Sequence, residues 1–510
     1  MPTVSQSEIR PFELDELSIT ELQDGMKTGC FTARSLVESY LGRINEIDRG
    51  GPGLNSVIEL NPDALAIADA MDLERRARHP RGLMHGVPVL LKDNLDTADE
   101  MMTTAGSCAL VGSKPPVDSF VARRLREAGA VILGKTNMSE WAYIRSRKAT
   151  SGWSARGGLT RNPYALDRNP CGSSSGSGVA VSANLCAAAI GTETDGSIVC
   201  PASINGIVGI KPTVGLISRS GIIPISHTQD SAGPMCRTVR DAAIVLGVLA
   251  GVDADDVATA VNPSASASQF TQYLDRSGLK GARIGVVRHY FAYPAAPLME
   301  GALEVMQGQG AILVDPVTID TIGKFDRAER TILLYELKAD LNAYLARLGP
   351  DAPVHSLSEV IEFNLRNAGT ELRYFGQDSL IEAEAKGPLS SREYLDALEN
   401  NRAMARGQGI DAVMDKWRLD ALVAPVTGPA WVTDLITGDH IIGGGSQLAA
   451  VAGYPNINVP AGFMFGLPVG ISFFGRAWSE PTLLRLAYAF EQASNVRRTP
   501  RFPATADLGS

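Results

Sequence analysis

Residues 119–137, SFVARRLREAGAVILGKTN, hold a helix, a glycine stop and a strand in one short stretch. Phe120, Val121 and Leu125 recur at helical spacing, Gly129 ends the helix, and Val131-Ile132-Leu133 suit a buried strand. The same order recurs along the chain. Helices are expected at 33–48, 62–77, 238–250 and 297–308, and strands at 86–94, 283–287 and 311–315. Strands 419–427 and 467–475 follow, then a helix over 479–493 with Pro481 in its first turn. Ser18 and Glu21 have the spacing of a capping box. Such alternation predicts an α/β fold, with a central mixed β-sheet surrounded by α-helices. No internal repeat or long linker divides the chain. Residues 1–60 are expected to form a helical segment packed on a single body of residues 61–510.

Charge and cysteine usage narrow the function classes. The chain has 510 residues, 45% of them apolar, and a net charge of −9. No Lys/Arg run suggests a phosphate-tracking patch, so nucleic acid is not an expected partner. The longest clean apolar run, AAIVLGVLAG (242–251), is about half of the roughly 20 residues a membrane span needs. The N-terminal stretch is polar and acidic without an apolar h-region, so the expectation is a cytoplasmic protein, monomeric or homodimeric. Six cysteines (30, 108, 171, 186, 200 and 236) lack CxxC spacing, which argues against zinc. They are expected to be reduced, buried and inert. No cluster of metal ligands is visible, and no cofactor is expected.

CGSSSGSGVA (171–180) could be a flexible linker, but it runs into a small, apolar stretch that suits a buried helix and strand. A phosphate loop fails because no lysine follows Gly178. Catalytic serines remain, and a serine needs a base. His227, three residues before Asp230, makes a Ser-His-Asp arrangement conceivable, but G-x-S-x-G is missing around both Ser173 and Ser197. The other base would be a lysine kept neutral by burial, for which Lys92, at the end of GVPVLLK, is the candidate.

GVPVLLKDN (86–94), CGSSSGSGVAVSANL (171–185), the segment from GTETDGS to GIIP (191–224) and SQLAAVAGYPNINVPAGFMFGLPVGISFFG (446–475) resemble the amidase signature family in order and spacing, from about residue 15 to 495. The resemblance implies a Ser–cis-Ser–Lys triad. Lys92 matches the lysine, Ser173 the bridging serine after a cis peptide, and Ser197 the nucleophile. The backbone N–H groups of Thr194, Asp195, Gly196 and Ser197 would form the oxyanion hole. Ser174 and Ser175 would support the loop. The chain departs from the common pattern in two places. Asp195 stands where many members have glycine, and Val199 stands where many have an arginine that pairs with the acid at Glu193, which leaves that acid without its usual partner.

SGWSARGGLTRNPY (151–164) and RTILLYELKADL (330–341) are similar to the bacterial peptide amidase branch, which implies cleavage of peptide C-terminal amides with release of ammonia. The alternatives are aryl acylamidases, urethane-cleaving hydrolases, the glutaminase subunit of an amidotransferase, and a non-catalytic scaffold. Trp141, Tyr143 and Trp153 are candidate pocket residues for a small-molecule or peptide amide, or else core aromatics.

Overall fold

The computed structural model describes residues 11–262, 269–291 and 294–509. Residues 1–10 of the expected N-terminal segment lie outside that range. Among the described residues, thirteen strands follow in chain order: β1 Val57–Leu60, β2 Pro88–Lys92, β3 Val131–Thr136, β4 Trp153–Ser154, β5 Gly158–Leu159, β6 Ala188–Glu193, β7 Val208–Lys211, β8 Ser231–Cys236, β9 Arg283–Val286, β10 Ile312–Val314, β11 Ala421–Pro425, β12 Asn456–Met464 and β13 Leu467–Phe474. Strands β4 and β5 form a small hairpin. The other eleven form one sheet in the order β1-β3-β2-β6-β8-β7-β12-β13-β11-β9-β10. Strands β3, β2 and β6 run parallel, as do β11, β9 and β10, while the strands between them pair antiparallel. The sheet is therefore mixed, as the alternating pattern predicts.

Most expected elements are present. The helices Phe120–Glu127, Val239–Leu249, Ala296–Gly308 and Glu480–Ser494 lie where periodicity puts them. The expected 33–48 helix is α-helical over Ala33–Arg43 and continues as a wider turn over Ile44–Arg49. The capping box at Ser18 and Glu21 is formed. Leu36, Val37 and Tyr40 share one apolar core with Val89, Leu90 and Val131, so the N-terminal helices bury their stripe against the sheet. Strand β1, within the expected N-terminal segment, pairs with β3 at the sheet edge. Between β10 and β11 the chain makes a run of helices, including Asp326–Arg347, Leu357–Arg366, Asp378–Glu384, Arg392–Arg402 and Asp411–Trp417.

The cysteine expectation needs correction. Cys171 and Cys200 form a disulfide across 29 residues with a Cα–Cα distance of 6.1 Å. Cys30 is exposed and Cys108 partly so, whereas Cys186 and Cys236 are buried free thiols. The spacing gave no hint of this bridge, because two serine segments far apart in sequence bring its ends together. No helix among the described residues is long and apolar enough to cross a membrane.

Candidate active site

Lys92 is the last residue of β2, and Thr192 lies near the end of the adjacent parallel strand β6. The carboxyl ends of parallel strands are where open α/β sheets gather their functional groups. The Lys92 side chain is fully buried. Its Nζ lies 2.7 Å from Ser173 Oγ, 2.8 Å from Thr192 Oγ1 and 3.2 Å from the Thr192 carbonyl oxygen. Asn94 Nδ2 donates to the same Thr192 hydroxyl at 3.0 Å. Burial pushes the ammonium down to about 7, against the opposing pull of the Asp230 and Glu193 carboxylates.

The glycine-serine stretch is packed, not slack. It leads directly into the helix Ser175–Ser182, every residue of which is buried. A Cβ on Gly176 would lie 2.3 Å from the Ser56 carbonyl oxygen and 2.5 Å from that of Asn137, so glycine is needed for close backbone approach. The Gly172–Ser173 peptide is cis. Ser174 fastens the loop to its neighbours: its N–H donates to the Ser197 carbonyl at 3.2 Å, and its hydroxyl donates to the Thr192 carbonyl at 3.0 Å. The Ser175 hydroxyl donates to the Cys171 carbonyl at 2.6 Å. These contacts bring the Ser173 and Ser197 segments side by side. The Cys171–Cys200 bridge joins them again, two residues before one serine and three after the other.

Ser197 follows Gly196, whose φ of 76° turns the chain sharply between β6 and the short helix Val199–Ile204. Ser197 is 8% exposed, whereas Ser173 is fully buried. Among the described residues, the N–H groups of Thr194, Asp195 and Ser197 donate no backbone hydrogen bond. The Gly196 N–H is turned toward the Glu193 carboxylate. That carboxylate accepts from the Ile198 N–H at 2.7 Å and the Val199 N–H at 3.0 Å, and the positive charge of Lys211 on β7 draws its pKa down. Backbone donors and Lys211 thus stand in for the arginine that position 199 lacks. Burial holds Glu193 above the usual carboxylate range and brings Lys211 down to about 8.

A cavity of about 840 Å³ opens beside this centre. Thr192, Thr194 and Asp230 form its inner wall, and Ile332, Tyr344 and Asn401 come from the helices between β10 and β11. The stretch 330–341 resembles the peptide amidase branch, but ordinary helical periodicity does not tell a cavity wall from a core face, so the sequence does not mark these as wall residues. The three candidate aromatics lie elsewhere. Trp141 packs among Leu334, Leu337 and Leu341. Trp153 meets Phe375 edge-on with ring centroids 5.1 Å apart. Tyr143 is hydrogen-bonded to Asp439. Only their neighbour Ala142 reaches the cavity.

His227 is not placed as a base for either serine. Its Nδ1 lies 2.9 Å from Asp340 Oδ2 and its Nε2 3.4 Å from Glu336 Oε1. With a carboxylate facing each ring nitrogen, its pKa is raised, chiefly by the hydrogen bond to Asp340. Asp230 instead accepts from the Thr194 hydroxyl at 2.5 Å. Among the described residues, His227, Glu336 and Asp340 are also the one group whose ligand atoms lie close enough to hold a metal ion. Glu336 is already engaged by the Tyr394 and Thr228 hydroxyls, at 2.7 and 2.9 Å.

The Amidase family model matches residues 35–484. The chain belongs to the amidase signature family. A crystal structure of native peptide amidase from Stenotrophomonas maltophilia is 51% identical, with a TM-score of 0.93 over 96% of this chain and 100% of that one. A probable amidase of Arabidopsis thaliana is 43% identical over 99% of this chain and 96% of its own length. A glutamyl-tRNA(Gln) amidotransferase subunit of Halorhodospira halophila is 33% identical over 94% and 98% of the two chains. The protein is an amide C–N hydrolase.

Proposed function

We propose that the protein cleaves carboxamides through an acyl-enzyme on Ser197, and that its substrates are C-terminal amides of peptides, released as the free acid and ammonia. The buried Lys92 amine, 2.7 Å from Ser173 Oγ, carries this reading. A lysine with a pKa near 7 is largely neutral in mildly alkaline solution and can accept a proton. Ser197 attacks the amide carbonyl while its proton passes to Ser173, which hands its own to Lys92. The unengaged N–H groups of the Thr194–Ser197 turn face the developing oxyanion, where one such donor is worth about 3–4 kcal/mol. The proton returns through Ser173 to the departing nitrogen, and water then releases the acid by the reverse relay.

The choice of peptide amides is supported by the 51% identity to a peptide amidase along almost the whole chain. The cavity is large enough for the acyl side of a short peptide. The test compares wild type and Ser197→Ala on a short peptide C-terminal amide, read as ammonia, and on an aryl anilide, read as the aromatic amine. Ser197-dependent ammonia release as the dominant reaction is expected. Cleavage of the anilide alone would overturn the substrate assignment, and full activity in Ser197→Ala would overturn the nucleophile.

A further inference from the structure

The turn that carries Ser197 is held from a direction that the catalytic relay does not use. Gln229 Nε2 donates to the Thr194 carbonyl at 3.4 Å and to Glu329 Oε1 at 3.0 Å. Gln447 Nε2 donates to Glu329 Oε2 at 2.8 Å. Its chain neighbour Ser446 donates its hydroxyl to Asp195 Oδ1 at 2.7 Å. Thr194 and Asp195 are themselves adjacent, so these links close on one another. Glu329 lies in the helix Asp326–Arg347, is 6% exposed, and does not line the cavity.

We infer that Glu329 is a positioning residue for the Thr194–Ser197 turn, which it grips at Thr194 through Gln229 and at Asp195 through Gln447 and Ser446. The inference rests on the reading of Ser197 and its turn proposed above. The ring also assigns a proton. Both Glu329 oxygens accept from amide N–H groups, which favours its ionised form against the burial that raises its pKa. The Asp195 carboxyl accepts only the Ser446 hydroxyl, leaving its second oxygen able to carry hydrogen. Two anionic carboxyls in one partly buried ring would repel, and burial together with Glu329 holds Asp195 well above the usual carboxylate range. Glu193 on β6 adds to this, and Lys211 on β7 opposes it. Tyr290 also faces Asp195, and Asp326 faces Glu329. We assign the shared proton of this pair to Asp195. An anion there would sit beside the developing oxyanion and oppose it.

The experiment measures kcat, KM and the pH profile on a peptide amide for Glu329→Ala, Glu329→Gln and Asp195→Asn, with melting curves for each and Ser197→Ala as control. Glu329→Ala is expected to lower kcat about 10- to 100-fold with KM within about twofold, less than the 10²–10³-fold of losing an oxyanion donor outright. Glu329→Gln should recover most of that loss, because turning the Gln447 amide over restores a donor–acceptor match. Wild type is expected to lose activity in alkali as Asp195 ionises, whereas Asp195→Asn, which still accepts from Ser446 but cannot ionise, should keep it. An unchanged kcat in Glu329→Ala, a loss confined to KM, or Glu329→Gln no better than Glu329→Ala would overturn the positioning role. An alkaline limb unchanged in Asp195→Asn would overturn the proton assignment. An active Ser197→Ala enzyme would instead overturn the reading of the site on which both rest.

Discussion

Replacing Lys92 by methionine should abolish activity and yet make the protein more stable near neutral pH relative to its stability at higher pH. The lysine is fully buried, and its pKa falls from an ordinary 10.5 to about 7. The unfolded chain therefore binds a proton more readily than the folded one between those values, and folding is opposed there. The penalty is fully present below pH 7, fades as pH rises from 7 to 10.5, and is gone above 10.5. From these two pKa values it is about 4 kcal/mol at pH 7 and about 2 kcal/mol at pH 9. The contacts of Nζ with Ser173 and Thr192 are also lost in Lys92→Met, at about 1 kcal/mol each, but that cost has no comparable pH dependence. Relative to wild type, the variant should therefore lose about 2 kcal/mol of its advantage between pH 7 and pH 9. With roughly 2.1 cal/mol/K of unfolding entropy per residue, this corresponds to a midpoint difference that changes by about 2 °C in a chain of 510 residues. Scanning calorimetry of both proteins at the two pH values checks it. A midpoint difference that is the same at both pH values, or that moves the other way, would refute the neutral buried lysine and with it the relay.

Two further outcomes follow from the same geometry. The kcat/KM profile of the wild type should rise with pH through an apparent pKa near 7, the value to which burial brings Lys92, because only the neutral amine accepts the Ser173 proton; a profile flat between pH 6 and 8 would contradict the assignment. Gly176→Ala forces a methyl group against two backbone carbonyl oxygens, so it should cost about 3 kcal/mol or more and lower both the melting midpoint and the yield of active enzyme; a wild-type melting curve would show that the loop can move aside.

The sequence determined the architecture, and its resemblance to a family named the candidate residues of the site. Short continuous apolar runs and helical apolar patterns are local properties, so the strands ending at Lys92 and Thr136 and the helices flanking them were legible as a mixed α/β fold. The resemblance of GVPVLLKDN, CGSSSGSGVA and GTETDGS to the amidase signature family pointed to Lys92, Ser173 and Ser197 as the triad, whereas the residues alone offered only a buried lysine and two serines as candidates. Tertiary structure decided what depends on meetings between distant segments. It set Thr192 and Asn94 beside Lys92, and it joined Cys171 to Cys200. It also gave Glu193 two backbone donors and Lys211 where an arginine was missing. Trp141 and Trp153 went to packed clusters, and the cavity wall came from helices whose sequence shows only ordinary amphipathicity. Burial governs the protonation that the proposed relay needs: the lysine, a solvated cation on an extended chain, is brought down to about 7 only when packing around the mixed sheet removes its water.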